Sequence, residues 1–218
     1  MYKYIFFDLD GTLTDSGEGI IRSLEYAFDE LGLERPDSET IMKFIGPPLV
    51  VSFRDFMNYD EETTQKAIAK YRERYVVKGI FENYPYEGIP ELLGELKNKG
   101  FRLAVATTKP EYMAERVTDH YDLTKYFDAV SGAVGENDSK EAVIRRACER
   151  MGIDENEFSS VLMVGDRCFD IDGAAGAGVD SCGAIWGYGN EEEFREHNAT
   201  YIVYKTTDVY ELAANSAK

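Results

Sequence analysis

Residues 4–15 read YIFFDLDGTLTD. An apolar run rich in β-forming residues ends in two aspartates spaced i, i+2, followed by Gly-Thr. A strand that ends this way sets Asp8 and Asp10 side by side. Their mutual repulsion is costly unless a cation or a proton lies between them. Taken alone, an Asp-x-Asp-Gly-Thr turn is more often an acidic turn than a site of chemistry. What it means depends on what the rest of the chain brings to it.

Similar short apolar runs recur at 102–106 (RLAVA), 128–131 (DAVS), 160–164 (SVLMV), 181–185 (SCGAI) and 200–204 (TYIVY). Helical patterns lie between them. Residues 90–99 open with Pro90, carry Leu92, Leu93 and Leu96, and stop at Gly100. Residues 139–151 start at Ser139 and present Val143, Ile144, Ala147 and Met151 at helical spacing before Gly152. This alternation predicts an α/β fold built on a parallel sheet. One stretch breaks the rhythm, since 16–82 contains no strand pattern. Ile20, Ile21, Leu24, Ala27, Phe28 and Leu31 form one helical stripe, and Thr64, Ala67, Ile68, Tyr71 and Tyr75 another. Met42 to Met57 reads as helical on both sides of a break at Gly46-Pro47-Pro48. The sequence therefore predicts a core domain from 1–15 and 83–218, with an α-helical cap domain, 16–82, inserted after the first strand.

The chain has 218 residues, 44% of them hydrophobic and 30% charged, which supports a substantial core and argues against disorder. Its net charge of −17 repels nucleic acid and anionic lipid, so neither is an expected partner. No apolar run approaches the ~20 residues of a membrane helix. Asp8 and Asp10 interrupt the N-terminus where a signal peptide needs an uncharged stretch. Cys148, Cys168 and Cys182 show no CxxC or metal-ligand spacing and read as reduced thiols, so the expected location is cytoplasmic. A monomer and a small homo-oligomer both fit the sequence.

In an open α/β sheet, ligands bind beyond the carboxyl ends of the strands. The first strand delivers Asp8-Leu9-Asp10-Gly11-Thr12, the second Thr107-Thr108-Lys109, and the fourth Gly165-Asp166-Arg167-Cys168-Phe169-Asp170. Lys140 opens the helix after the third. If these strands are parallel neighbours, all four sets converge on one crevice. A hard dication takes carboxylate, carbonyl and water oxygens, so Asp8, Asp10 and Asp166 can hold Mg²⁺. Asp8 can then attack an electrophile and form an acyl-phosphate, with the metal and a lysine screening the repulsion. Asp10 can give a proton to the leaving alkoxide and later take one from water. The hydroxyls of Thr107 and Thr108, with N–H groups around Gly11 and Thr12, can cradle phosphate oxygens.

DLDGTL at 8–13, Thr107 after a hydrophobic strand, Lys140, and GDRCFD at 165–170 resemble, in order, the four motifs of the haloacid dehalogenase superfamily. The helical stretch after the first motif resembles that family's inserted cap. FIGPPL (44–49), FENYPYEGIPELL (81–93), ATTKP (106–110) and WGYGNEEEF (186–194) resemble its phosphoglycolate phosphatase-like and 5′-nucleotidase-like branch. The resemblance implies a Rossmann-like core with Asp8 as nucleophile. It makes Asp10 the acid/base whose carbonyl also meets Mg²⁺, Thr107 the phosphate-binding hydroxyl and Lys140 the charge-stabilising lysine. Asp166 becomes a metal ligand, and Asp170 a second acidic group at the metal or its shell. The implied activity is Mg²⁺-dependent hydrolysis of a small phosphomonoester, of the phosphoglycolate or nucleoside 5′-monophosphate class, through an aspartyl-phosphate. Lys43, beside Gly46 and Pro47 in the cap, is the expected contact for the leaving group. Many relatives follow the motif-three lysine with proline, where this chain has Glu141, so Lys109 is a rival for the charge role.

Other features read as structural. Lys109 and Arg167 taken singly fit solvated or structural charges, Cys168 a packed thiol, and the Glu191–Glu193 run a solvated helix start. GAAGAG (173–178) follows a helix start rather than a strand, so helix packing and a turn at Gly178 explain it better than a dinucleotide loop. Two other activities share these residue types. A sugar phosphomutase of the same superfamily more often carries a bulkier aliphatic residue where Thr12 stands. A phosphoacceptor signalling domain places its accepting aspartate after a middle strand.

Overall fold

The computed structural model describes residues 1–135 and 138–215. The chain divides into two compact units, Met1–Thr14 with Pro85–Lys218, and Asp15–Tyr84. Along the chain, β1 (Tyr4–Phe7) is followed by α1 (Gly17–Leu31), α2 (Ser38–Met42), α3 (Leu49–Met57) and α4 (Glu61–Tyr75). Then come α5 (Ile89–Asn98), β2 (Arg102–Pro110), α6 (Glu111–His120), β3 (Ala129–Ala133), α7 (Lys140–Arg150) and β4 (Val161–Gly165). The last elements are α8 (Cys168–Ala177), β5 (Asp180–Ala184), α9 (Glu191–Glu196), β6 (Tyr201–Val203) and α10 (Thr206–Asn215).

The first unit is an α/β fold around a six-stranded sheet of order β3-β2-β1-β4-β5-β6. Every pairing is parallel. Both faces are covered, which is why β1, β2 and β4 are apolar at successive positions rather than alternate ones. Tyr4, Phe6, Ala104, Ala106, Val161 and Met163 pack on one face with Val143, Ile144 and Ala147 of α7 and Ala174 of α8. Ile5, Phe7, Leu103, Val105, Leu162 and Val164 are fully buried between them. Side chains of this size each contribute ~1.5–3 kcal/mol on burial. Phe7 sits in register with both Val105 and Val164, so the residues that follow in the three strands emerge together at one edge. The ladder between β2 and β3 shifts register between Ala106 and Pro110. A bulge of this kind re-aims side chains, and here it falls on Thr107–Lys109.

α7 starts where its sequence predicts, with the Ser139 hydroxyl accepting the Ala142 N–H at 3.2 Å. It packs closely on α8 because Gly173 has no side chain. A Cβ there would lie 2.5 Å from Lys140 Cγ. Gly178 ends α8 in the left-handed conformation at φ 80°.

The second unit is helical. α1 meets the turn that follows α4 where Gly19 faces Gly79, whose carbonyl oxygen a Cβ on Gly19 would meet at 1.9 Å. Phe28, Phe44 and Phe53 form its buried aromatic centre. Arg74 grips Glu82 through two hydrogen bonds of 2.7 and 2.9 Å. The Gly19 N–H donates to the Glu82 carbonyl at 3.0 Å, which joins the start and end of the unit. Among the described residues no helix is long and apolar enough to cross a membrane.

Candidate active site

Where β1 ends, the chain turns sharply. The Asp8 N–H still donates to Val164 O at 2.9 Å, as in the sheet. Gly11 then takes φ +85°, a conformation that favours glycine, and any Cβ on it would strike the Asp166 carboxylate at 2.1 Å. Its N–H donates to Thr14 O at 2.7 Å, and the Thr12 N–H to Leu9 O at 3.4 Å. The Thr12 hydroxyl donates to Asp166 Oδ1 at 2.8 Å. These two residues therefore shape the turn and hold Asp166, and their own N–H groups are engaged within it. Within the described residues it is the Leu9 and Asp10 N–H groups that have no acceptor.

Lys140 enters this edge from the first turn of α7. Its ammonium lies 2.9 Å from Asp8 Oδ1 and 2.7 Å from Asp170 Oδ1, and it donates to the Ala106 carbonyl at 3.1 Å. Burial disfavours its charge, but the nearby Asp170 and Asp8 carboxylates outweigh that and hold it above the usual lysine range. Burial is also the main reason the Asp8 carboxyl is pushed up to about 6. Lys140 opposes the rise, the Asp170 charge adds to it, and hydrogen bonds from Lys140 and the Thr107 hydroxyl lower it. Asp166 is raised well above the carboxylate range, first by burial and then by the charges of Asp170 and Asp8.

Asp10 stands apart from this group. Its Oδ2 is 2.7 Å from the ammonium of Lys109, whose side chain is 4% exposed. The two lysines have different partners. Lys140 serves Asp8 and Asp170, and Lys109 serves Asp10. The pairing follows from matched spacing, because Thr107 and Lys109 on β2 meet Asp8 and Asp10, which follow the end of the neighbouring strand. A solvated Lys109, one reading of the sequence, is overturned by this buried contact.

The remaining candidates fall as follows. Thr108 is half-buried, and its hydroxyl holds no hydrogen bond within the described residues. Lys43 belongs to the second unit, at the end of α2, exposed and paired with Glu39 at 3.1 Å. Cys168 is a packed thiol, pushed up to about 12 chiefly by burial and further by its bond to Glu193. That Glu193 is no solvated helix residue either. Its carboxylate accepts the Arg167 Nε–H at 3.0 Å and the Cys168 N–H at 2.7 Å. Nothing in a run of three glutamates distinguishes the one that turns inward, except that Phe194 beside it is fully buried.

Asp8, Asp166 and Asp170 each offer a carboxylate oxygen, and these atoms lie within 4.8 Å of one another. All three are buried, and one ammonium serves two of them. Oδ1 of both Asp8 and Asp170 is sealed from solvent, and the Lys140 ammonium is the positive charge that faces both. A hard divalent cation suits such a set of oxygens and supplies the positive charge the cluster lacks. The Asp10 carboxylate is not part of the triad.

Residues 5–184 match the family described as haloacid dehalogenase-like hydrolase. A 5′-nucleotidase of Pseudomonas aeruginosa is 41% identical over 92% of this chain and 90% of its own. A protein named tyrosine-protein kinase PtkA, of Mycobacterium tuberculosis, is 35% identical over 94% of this chain and 69% of its own. A phosphoglycolate phosphatase of Aquifex aeolicus is 32% identical over 85% and 86% respectively. Among solved structures, a predicted phosphatase from Clostridium acetobutylicum superposes with a TM-score of 0.92 at 40% identity, covering 99% of both chains.

Proposed function

The chain belongs to the haloacid dehalogenase-like hydrolase family, and from that premise we propose that it is a Mg²⁺-dependent phosphomonoester hydrolase working through an aspartyl-phosphate. The observation that carries the reading is the separation of two neighbouring aspartates into different environments. Asp8 lies in the buried triad against Lys140, and Asp10 lies outside it against Lys109.

In this reading the Asp8 carboxylate attacks phosphorus, and the bond from phosphorus to the alcohol oxygen breaks as Asp10 gives that oxygen a proton. Water then attacks the phosphorus of the acyl-phosphate, Asp10 takes up its proton, and the bond to Asp8 breaks to free inorganic phosphate. Lys140 offsets the charge of nucleophile and phosphoryl group together. The Thr107 hydroxyl and the Leu9 and Asp10 N–H groups orient the phosphoryl oxygens. Asp8, Asp166 and Asp170, with the Asp10 carbonyl, would hold Mg²⁺, which when bound neutralises charge on the phosphoryl group. The names of the relatives support phosphoglycolate or nucleoside 5′-monophosphates as the substrate class, and Lys43 is proposed as a contact to the leaving group.

Phosphate release from a panel of phosphoglycolate, nucleoside 5′-monophosphates and hexose phosphates tests this, with Mg²⁺ and with EDTA. The expected outcome is metal-dependent release concentrated on one class, abolished in Asp8→Asn, with the order of preference changed in Lys43→Ala. Activity persisting in Asp8→Asn would sink the mechanism. Similarity to the protein named as a tyrosine kinase supports a second reading, phosphoryl transfer to protein tyrosine. That reading gains if labelled phosphate ends on protein rather than in solution.

A further inference from the structure

The cluster depends on how the short turn from β4 into the start of α8 places Asp166 and Asp170. Part of its hold is internal, since Asp170 Oδ2 accepts the Arg167 N–H at 3.0 Å. The rest comes from the segment that follows β5. The Tyr188 N–H donates to Asp166 Oδ2 at 3.0 Å, and Trp186 Nε1–H donates to Thr12 O at 3.0 Å, one residue from Gly11. Gly187 and Gly189 let this segment lie flat on the loop. A Cβ on the first would meet Asp166 Cβ at 2.3 Å, and one on the second Asp166 O at 2.2 Å.

Glu193 completes the hold from the first turn of α9. A single oxygen, Oε1, accepts from Arg167 Nε at 3.0 Å and from the Cys168 N–H at 2.7 Å. Cys168 is the first residue of α8, so its N–H is one that the helix itself leaves without an acceptor. A carboxylate there is favoured by the helix dipole as well as by the guanidinium. Glu193 is itself fixed, because Asn190 Oδ1 accepts its N–H at 3.0 Å and the next residue, Phe194, is wedged against Gly183. Its side chain is only 17% exposed, so both bonds are partly shielded from water.

We propose that Glu193 is a positioning residue for the metal-ligating loop: by tying Arg167 and Cys168 to α9 it keeps Asp166 and Asp170 at the spacing one divalent cation can share. Glu193 stands outside the triad of Asp8, Asp166 and Asp170. Its effect runs through two of the three residues between the ligands, as outer groups around a metal site commonly act. The proposal rests on the Mg²⁺ reading given above.

The experiment is calorimetric titration of the metal-free protein with Mg²⁺ alone, together with its melting temperature in EDTA and in Mg²⁺. Glu193→Ala is expected to bind Mg²⁺ about tenfold or more weakly, and to lose most of the rise in melting temperature that Mg²⁺ gives the unaltered chain. Glu193→Gln keeps an oxygen acceptor and is expected to fall between the two. A lower melting temperature in EDTA with unchanged Mg²⁺ affinity would make Glu193 merely structural and overturn the proposal. If Glu193→Ala does not fold, Glu193→Gln decides by the same measure, unchanged affinity being the adverse result. Absence of Mg²⁺ binding by the unaltered chain would instead overturn the metal reading itself, a result distinct from both.

Discussion

Lys140 stands between two buried carboxylates, so removing it leaves Asp8 and Asp170 without their ammonium. Breaking one side of a buried ion pair costs about 3 kcal/mol or more, and the loss should depend on pH in a definite direction. Burial holds the Asp8 carboxyl above its unfolded value, at about 6, so this group weakens the folded state as pH rises from the usual carboxylate range through about 6. Lys140 opposes that shift. Lys140→Met is therefore expected to lose little stability near pH 5, where protonation removes the unpaired charge, and the most above pH 7. Urea unfolding in EDTA across this range measures the gap, and a gap independent of pH would contradict the assignment. The gathering of Asp8, Asp166, Asp170 and Lys140 was legible in residue types alone, because carboxylates at strand ends and a lysine opening a helix need no tertiary detail to be recognised. The partners were not. Which lysine meets which aspartate depends on strand register, and the inward turn of Glu193 depends on Phe194 finding a place against Gly183.

At the level of elements, α7 and α8 approach closely at Gly173. A Cβ on Gly173 would lie 2.5 Å from Lys140 Cγ and 3.2 Å from the Glu141 N. A Cβ on Gly176, in the same helix, would meet the mobile end of Glu141, whose carboxylate oxygen lies at 2.7 Å. Alanine normally stabilises a helix interior by up to ~1 kcal/mol over glycine. Gly176→Ala should show part of that gain. Gly173→Ala should instead cost ~1–3 kcal/mol through overpacking and depress turnover by displacing Lys140. Thermal melts and phosphate release on the pair check this, and equal effects of the two changes would show that the helices separate freely. The GAAGAG stretch was readable as close packing, since it follows a helix start, but which glycine carries the contact was not, because composition alone does not rank them. The bulge that aims Thr107 and Lys109 likewise leaves no mark in RLAVATTKP.

On the scale of the whole molecule, a net charge of −17 on 218 residues sets like charges against one another throughout the surface. Raising ionic strength from about 0.01 to about 0.15 M shortens the Debye length from ~30 to ~8 Å, so NaCl should raise the melting temperature in EDTA. A fall would mean that favourable pairs, such as Arg74–Glu82, outweigh the repulsion. The parallel α/β core was legible because strands covered on both faces are apolar without alternation. The order β3-β2-β1-β4-β5-β6 was not, since an apolar strand carries no sign of which edge it joins. That order bears on the sequence of events in folding. β1 pairs with Arg102 on one side and Val161 on the other, so the strand made first must wait for most of the chain. The unit Asp15–Tyr84 is one uninterrupted stretch whose Gly19 N–H and Glu82 carbonyl meet, and it leaves the ribosome complete before any partner of β1 does. Once folded, it shortens the slack between Tyr4 and Arg102 to a fraction of its length, each halving saving about 0.6 kcal/mol of closure entropy. The insertion thus brings the strand that carries Asp8 nearer, in effective chain length, to neighbours not yet made when that strand emerges.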